Sequence, residues 1–215
     1  MADTHGPSML AMLIGDQRQG KTLACRLLAE QARAAGFSIG GIIQPAVYEA
    51  DVCIGYDIVD LAVGHRAHLA VIGGGGVERV GRFEFLADGL ALGKAAIRQA
   101  AQEHPRLLII DEVGPLELAG GGWSEQLDEL VQRHADRPAV PPRKDVGAAE
   151  SGRQPGRLAS QLMLCSVRRS LLAEVRARWG SAQDSAGRRQ TARVYDMSDG
   201  LGAIIGDIIM SLHRE

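Results

Sequence analysis

Residues 15 to 22 read Gly15-Asp16-Gln17-Arg18-Gln19-Gly20-Lys21-Thr22. The spacing is G-x-x-x-x-G-K-[ST], which suits a loop that cradles a polyphosphate. The residues before it, Met9-Leu10-Ala11-Met12-Leu13-Ile14, are apolar over the length of a buried parallel strand. Those after Lys21, Thr22 to Ala35, have a helical period that puts Leu23, Leu27, Leu28 and Ala32 on one face. Such a strand–loop–helix unit points successive backbone N–H groups at phosphates, with the helix N-terminus behind them. Lys21 then reaches the β- and γ-phosphates, and the Thr22 hydroxyl ligates Mg²⁺. A glycine-rich turn with an exposed lysine would carry the same letters, but the flanking strand and helix favour the phosphate reading.

At 215 residues the chain suits a single α/β domain spanning 1–215, with elaborations. Aromatic residues make up only 4% of it, so the core must be built from Leu, Ile, Val and Ala. A formal net charge of -2 at pH 7 argues against a general nucleic-acid binder, which should be distinctly basic. No apolar run reaches the roughly 18 residues needed to span a bilayer. Met1 to Ser8 carries neither a charged leader region nor a cleavage site. Cys25, Cys53 and Cys165 are far apart, odd in number and without C-x-x-C spacing, which suggests neither zinc nor a disulfide framework; Cys25 and Cys165 read as buried free thiols, and the chain as cytoplasmic.

Downstream, Gly36 ends the first helix as a left-handed residue. Phe37 to Val47 reads as a second strand, broken at Gly40-Gly41 and closing at Gln44-Pro45. Cys53 to Leu61 and Arg66 to Val71 flank Val63-Gly64-His65, a β-hairpin signal. His65 and His68, on either side of that turn, do not have metal-site spacing. Gly73 to Gly76 reads as a mobile turn, Gly81 to Phe85 as a short strand, and Leu90 to His104 as a helix ended by Pro105. Trp123 to His134 is an amphipathic helix, Leu162 to Val167 a buried strand, and Ser170 to Trp179 another helix. Ser181 to Arg193, with its Arg188-Arg189 pair, reads as a loop; Ser198-Asp199 caps a last helix bearing Ile204, Ile205, Ile208 and Ile209. Residues 138–160 hold Pro138, Pro141, Pro142 and Pro155 and no apolar period. They read as a flexible surface insertion.

A second chemical site follows from Leu107-Leu108-Ile109-Ile110-Asp111-Glu112. An apolar run that ends in an acid puts a carboxylate at the C-terminal tip of a central strand, the edge where open α/β sheets bind ligands. Asp111 is suited to hold Mg²⁺ through water. Glu112 is suited to orient or deprotonate an attacking water. The plainer alternative is that both acids only open the turn Val113-Gly114-Pro115.

At this point the chain resembles the THEP1-type nucleoside triphosphatases, a small group of P-loop NTPases. Three blocks carry the resemblance, in order: Gly15 to Thr22; Gly36-Phe37 through Gly41-Ile42-Ile43 with Ile54-Gly55-Tyr56-Asp57-Ile58-Val59-Asp60-Leu61 and Gly64; and Ile109-Ile110-Asp111-Glu112-Val113-Gly114-Pro115-Leu116-Glu117-Leu118. They run to about residue 135, and the C-terminal third matches loosely. The resemblance implies the three-layer P-loop NTPase fold, with a mostly parallel central sheet and an added β-hairpin. It also implies Mg²⁺-dependent hydrolysis of ATP or GTP, over a broad base range, to the diphosphate and phosphate. It assigns phosphate binding to Gly15, Asp16, Gln17, Arg18, Gln19, Gly20, Lys21 and Thr22, and metal and water handling to Thr22, Asp111 and Glu112. Arg168 or Arg169, just after a strand, would face the γ-phosphate and stabilise charge in the transition state; the bland alternative is two solvated arginines. The family's loop carries more glycine, so a left-handed backbone at Arg18 would be strained here.

Lys21, Glu112 and Arg168 are thus the expected catalytic set, with Thr22 and Asp111 on the metal. Two other functions use the same scaffold. A small-molecule or nucleotide kinase would need an acceptor site, which the hairpin at 53–71 or the 138–160 insertion could supply. A nucleotide-switched accessory protein for cofactor or metallocentre assembly would use those segments to meet an unknown protein partner.

Overall fold

The computed structural model describes residues 10–135, 161–183 and 189–214, so the 138–160 insertion and Arg188 lie outside the described residues. β1 (Leu10–Gly15) runs into the phosphate loop, and α1 (Lys21–Ala34) leaves it. Next come β2 (Ile39–Ile43), β3 (Ala46–Glu49), β4 (Val52–Asp60), β5 (Arg66–Ile72), β6 (Glu78–Val80) and β7 (Phe83–Phe85). They are followed by α2 (Ala87–Glu103), β8 (Leu107–Val113), the single-turn α3 (Pro115–Leu118) and α4 (Ser124–Ala135). The described remainder is β9 (Leu162–Arg168), α5 (Leu172–Trp179), β10 (Ser181–Gln183), β11 (Arg189–Thr191), β12 (Arg193–Asp196) and α6 (Leu201–Arg214).

One sheet has the order β12-β1-β9-β8-β2-β4-β5-β7-β6, with β3 paired to β4; β10 and β11 form a separate ribbon. From β12 to β2 every pairing is parallel, and beyond β2 every pairing is antiparallel. The expected parallel centre and the hairpin of β4 and β5 are both present. The antiparallel part is larger than one hairpin, because β3, β6 and β7 also join it.

Strand residues alternate between two cores. Met12, Ile14, Leu108 and Ile110 face one side, with Leu90 and Ile97 of α2, Leu127 of α4 and Val175 of α5. Leu13, Leu107, Ile109 and Leu164 face the other, with Cys25 and Leu28 of α1 and Ile204 and Ile208 of α6. Two helix layers therefore sandwich the sheet, which is why the central strands are apolar on both faces rather than alternating. Cys25, Cys53 and Cys165 are buried and free. Among the described residues no helix is long and apolar enough to cross a membrane.

Four local readings change. β2 does not break at Gly40-Gly41. A Cβ on Gly41 (φ +97°) would lie 2.0 Å from the Ile109 carbonyl oxygen, so glycine there lets β2 lie against β8, and the interruption comes at Gln44-Pro45. The polar stretch after Ser181 is not all loop: it holds the β10–β11 ribbon and leads into β12, whose residues 193 to 196 pair with β1. The last helix is not capped by Ser198-Asp199. Those residues form a 3-10 turn capped by the Asp196 side chain, and Gly200 (φ +91°) precedes α6. The four-glycine turn is tied down, because Glu84 accepts the N–H groups of Gly75 at 2.6 Å and Gly76 at 3.2 Å.

Candidate functional site

The phosphate loop closes on itself by local hydrogen bonds. Gln19 N–H donates to the Asp16 carbonyl at 3.3 Å, and the Asp16 N–H donates to the Gln19 side-chain oxygen at 2.6 Å. Arg18 has φ +65°, the left-handed conformation that the departure from glycine made costly. Gly20 (φ +82°) is the N-cap of α1 and carries no side chain to cover the helix's first N–H groups. Lys21 is buried, and its Nζ donates to the carbonyls of Gly15 at 3.2 Å and Asp16 at 3.0 Å. The ammonium is therefore held over the mouth of the loop.

The strand β8 brings its acids to the same edge. Asp111 is only 1% exposed, and its carboxylate accepts hydrogen bonds from the Ser166 hydroxyl and the Gln44 N–H. Burial pushes the Asp111 carboxyl above its ordinary value, and Ser166, Gln44 and Thr22 act against the shift. Thr22, 89 positions away in the chain, is close enough to favour the charged form of Asp111. The donors gathered here are a hydroxyl and a carboxylate, with the Ser166 hydroxyl behind. All are hard oxygens, and one carboxylate with few protein ligands is the usual provision for Mg²⁺, which keeps waters and takes phosphate oxygens. The residues fit that ion.

Glu112 turns away from Asp111. Its Oε1 lies 2.6 Å from Arg168 Nε, and both side chains line a cavity with Gln17, Gln44 and Tyr56. The register explains the meeting: β9 lies between β1 and β8, and Arg168 pairs with Gly15 while Val167 pairs with Val113. The two arginines are separated in role. Arg169 does not enter the cavity lining; its guanidinium grips both Asp196 carboxylate oxygens at 2.5 and 2.7 Å, and lies 3.5 Å from Asp16. The Arg169 guanidinium, helped by the Ser198 N–H and hydroxyl, holds the Asp196 carboxyl well below the usual carboxylate range.

Several residues at this site carry no contiguous sequence signal. Gln44 bridges β2 to β8 by donating its side-chain N–H to the Asp111 carbonyl at 2.5 Å. Ser166 is the one hydroxyl within the apolar run of β9, and that lone polar position was a usable clue. Glu117 is buried, accepts the Gly114 N–H at 2.8 Å, and lies on the cavity wall. Burial pushes its carboxyl up to about 7. His68, on the hairpin, sits 2.7 Å from Asp57 and Arg66 sits beside it, an ion cluster of the β4–β5 surface.

A parallel sheet with a phosphate loop after β1 and an acid pair on β8, one strand removed, defines a P-loop nucleoside triphosphatase fold. Comparison with known proteins gives the family. The NTPase family profile matches residues 11–157. The nucleoside-triphosphatase THEP1 of Methanopyrus kandleri is 33% identical over 129 residues, 60% of this chain and 69% of that protein. Its counterpart from Methanothermobacter thermautotrophicus is 35% identical over 126 residues, 57% of this chain and 70% of that protein. The crystal structure of THEP1 from Aquifex aeolicus shares the fold, with a TM-score of 0.61, 15% identity, and coverage of 94% of this chain and 98% of that one. So does the solution structure of a human cancer-related nucleoside triphosphatase, with a TM-score of 0.62, 18% identity, and coverage of 96% and 98%. The chain belongs to the NTPase family and, with its THEP1 relatives, is an enzyme of the nucleoside-triphosphatase class.

Proposed function

We propose that this protein hydrolyses nucleoside triphosphates, ATP and GTP among them, to the diphosphate and inorganic phosphate with Mg²⁺. The observation that carries this reading is Arg168 of β9, which pairs with Gly15 at the start of the phosphate loop and lies 2.6 Å from Glu112, so that the loop and the strand acids share one edge. The N–H groups from Asp16 to Thr22 bind the β- and γ-phosphate oxygens, and Lys21 shifts its donors from the loop carbonyls to those oxygens. Thr22 and Asp111 would hold Mg²⁺, which would supply positive charge to stabilise the triphosphate. Glu112 orients the attacking water and takes its proton. Arg168 steadies the Glu112 carboxylate and offers its remaining N–H groups to the charge that develops on the γ-phosphoryl oxygens. No base-reading pocket is required, which agrees with a broad base range. The three buried free thiols agree with a cytoplasmic setting.

The reading is tested by phosphate release from ATP, GTP, CTP and UTP with Mg²⁺. Wild type should release phosphate from all four and Lys21→Ala from none. Glu112→Gln should bind nucleotide and lose turnover. Glu112→Gln turning over at the wild-type rate would remove Glu112 from the mechanism.

A further inference from the structure

The cavity beside Glu112 is larger and more apolar than a hydrolytic water needs. It encloses about 230 Å³, against roughly 30 Å³ for one water in the liquid. Its polar end is the Glu112–Arg168 pair with Gln17 of the phosphate loop. Part of the lining is aromatic. Two of the chain's three phenylalanines, Phe83 and Phe85, and one of its three tyrosines, Tyr56, supply it. All three are partly buried against the core beneath, so they are supported from behind and open in front.

This wall is built rather than incidental. Tyr56 and Phe83 meet edge to face, with centroids 5.1 Å apart and planes at 72°. Arg82 stacks 5.1 Å over the Phe83 ring and donates to the Cys53 carbonyl at 2.9 Å, fixing β7 against β4. An apolar cleft with a few convergent polar groups at one end is the usual form of a small-molecule site. The volume lies just under the usual ligand range of about 300–1,000 Å³, which suits one or two rings.

We propose that this cavity binds a second substrate, a planar ring compound bearing a hydroxyl group, and that the enzyme can transfer the γ-phosphoryl group to it in place of water. The proposal rests on the reading that a triphosphate occupies the phosphate loop. The ring packs against Tyr56, Phe83 and Phe85, and its hydroxyl lies at Glu112. The hydroxyl oxygen forms a bond to the γ-phosphorus while the bond from that phosphorus to the β,γ-bridging oxygen breaks. The nucleoside diphosphate leaves with the bonding electron pair, and the hydroxyl proton passes to the Glu112 carboxylate. The products are a phosphomonoester and a nucleoside diphosphate. Water in the same place gives the hydrolysis already described.

The test uses the full chain with γ-labelled ATP, Mg²⁺ and each of a set of planar alcohols: the four ribonucleosides, a hydroxymethylpyridine and a hydroxymethylpyrimidine. At least one should yield a labelled phosphomonoester separable from inorganic phosphate. Phe83→Ala, which removes the wall, and Val80→Trp, which fills the cavity, should each lower the ratio of transfer to hydrolysis at least tenfold. The second variant keeps the test decisive if the first folds poorly. Three results would overturn the proposal: inorganic phosphate as the sole labelled product with every alcohol, a ratio that neither variant moves, or planar alcohols that merely compete with ATP, which would make this the seat of the nucleobase. Failure of the hydrolysis reading is distinct, since wild type would then release no phosphate without any alcohol.

Discussion

Arg168 Nε lies 2.6 Å from Glu112 Oε1, and the pair joins the ends of two neighbouring parallel strands, β9 and β8. A single side chain therefore both fixes the acid proposed to handle the nucleophile and brings positive charge to the edge where the phosphate loop begins. Replacing Arg168 by Ala should lower kcat for ATP by about 10²–10³-fold, the usual loss on removing a charge-stabilising donor. KM should change only a few-fold. Arg168→Lys should recover little, because a lysine cannot keep the guanidinium fork in place. Steady-state kinetics decide this, and an equal loss from Arg169→Ala would undo the assignment of separate roles.

Ser166 has its hydroxyl on the Asp111 carboxylate and lies fully buried. If Asp111 holds Mg²⁺ as proposed, Ser166→Ala should raise the Mg²⁺ concentration required by about 10–100-fold, the usual loss of affinity when a partner behind a metal ligand is removed. The maximal rate at saturating Mg²⁺ should stay near wild type. A Mg²⁺ titration of phosphate release reads both numbers.

Glu117 makes stability depend on pH in a stated direction. Burial raises its carboxyl to about 7 in the folded chain, against about 4.3 in an unfolded one. A raised carboxyl favours the fold fully below the unfolded value, and that contribution is lost as pH rises through the folded value. Between about pH 4.5 and 7 the melting temperature of wild type should therefore fall relative to Glu117→Gln, which cannot ionise. Thermal melts across that window check the sign; a constant offset between the two proteins would mean that Glu117 does not hold its proton.

Gly41→Ala should cost the fold about 2–4 kcal/mol, since it combines a left-handed backbone with a steric clash. The added Cβ would lie 2.0 Å from the Ile109 carbonyl oxygen, with backbone on both sides of the contact. Urea unfolding measures the loss. Gly64→Ala, at φ +78° with open space around it, should cost clearly less.

What could be read from the sequence was what the chain writes contiguously. The phosphate loop needs its residues in one stretch, because successive amides must point at one ligand. Asp111-Glu112 stands out because the buried strand before it is apolar on both faces. The partners of those acids come from elsewhere: Gln44 is 67 positions from Asp111 and Ser166 is 55, and although Ser166 is the lone hydroxyl in its strand, nothing local says which acid either one meets. β12 was missed for a related reason. Only one of its four residues, Tyr195, is buried, so a short edge strand after a polar stretch carries no hydrophobic period. Glu117 has the letter of a surface acid and becomes a buried one only when the turn at Gly114 and the start of α4 fold over it.

The strand between the phosphate loop and the acids acts as a gauge. β9 is hydrogen-bonded along one edge to β1 and along the other to β8, so the gap from amide cradle to carboxylates is set by main-chain ladders rather than by any side chain. Its Ser166 and Arg168, two residues apart, reach Asp111 and Glu112 respectively. An insertion or deletion of one residue in this strand would carry both contacts to the opposite face at once, and leave each half of the machinery intact but out of step with the other.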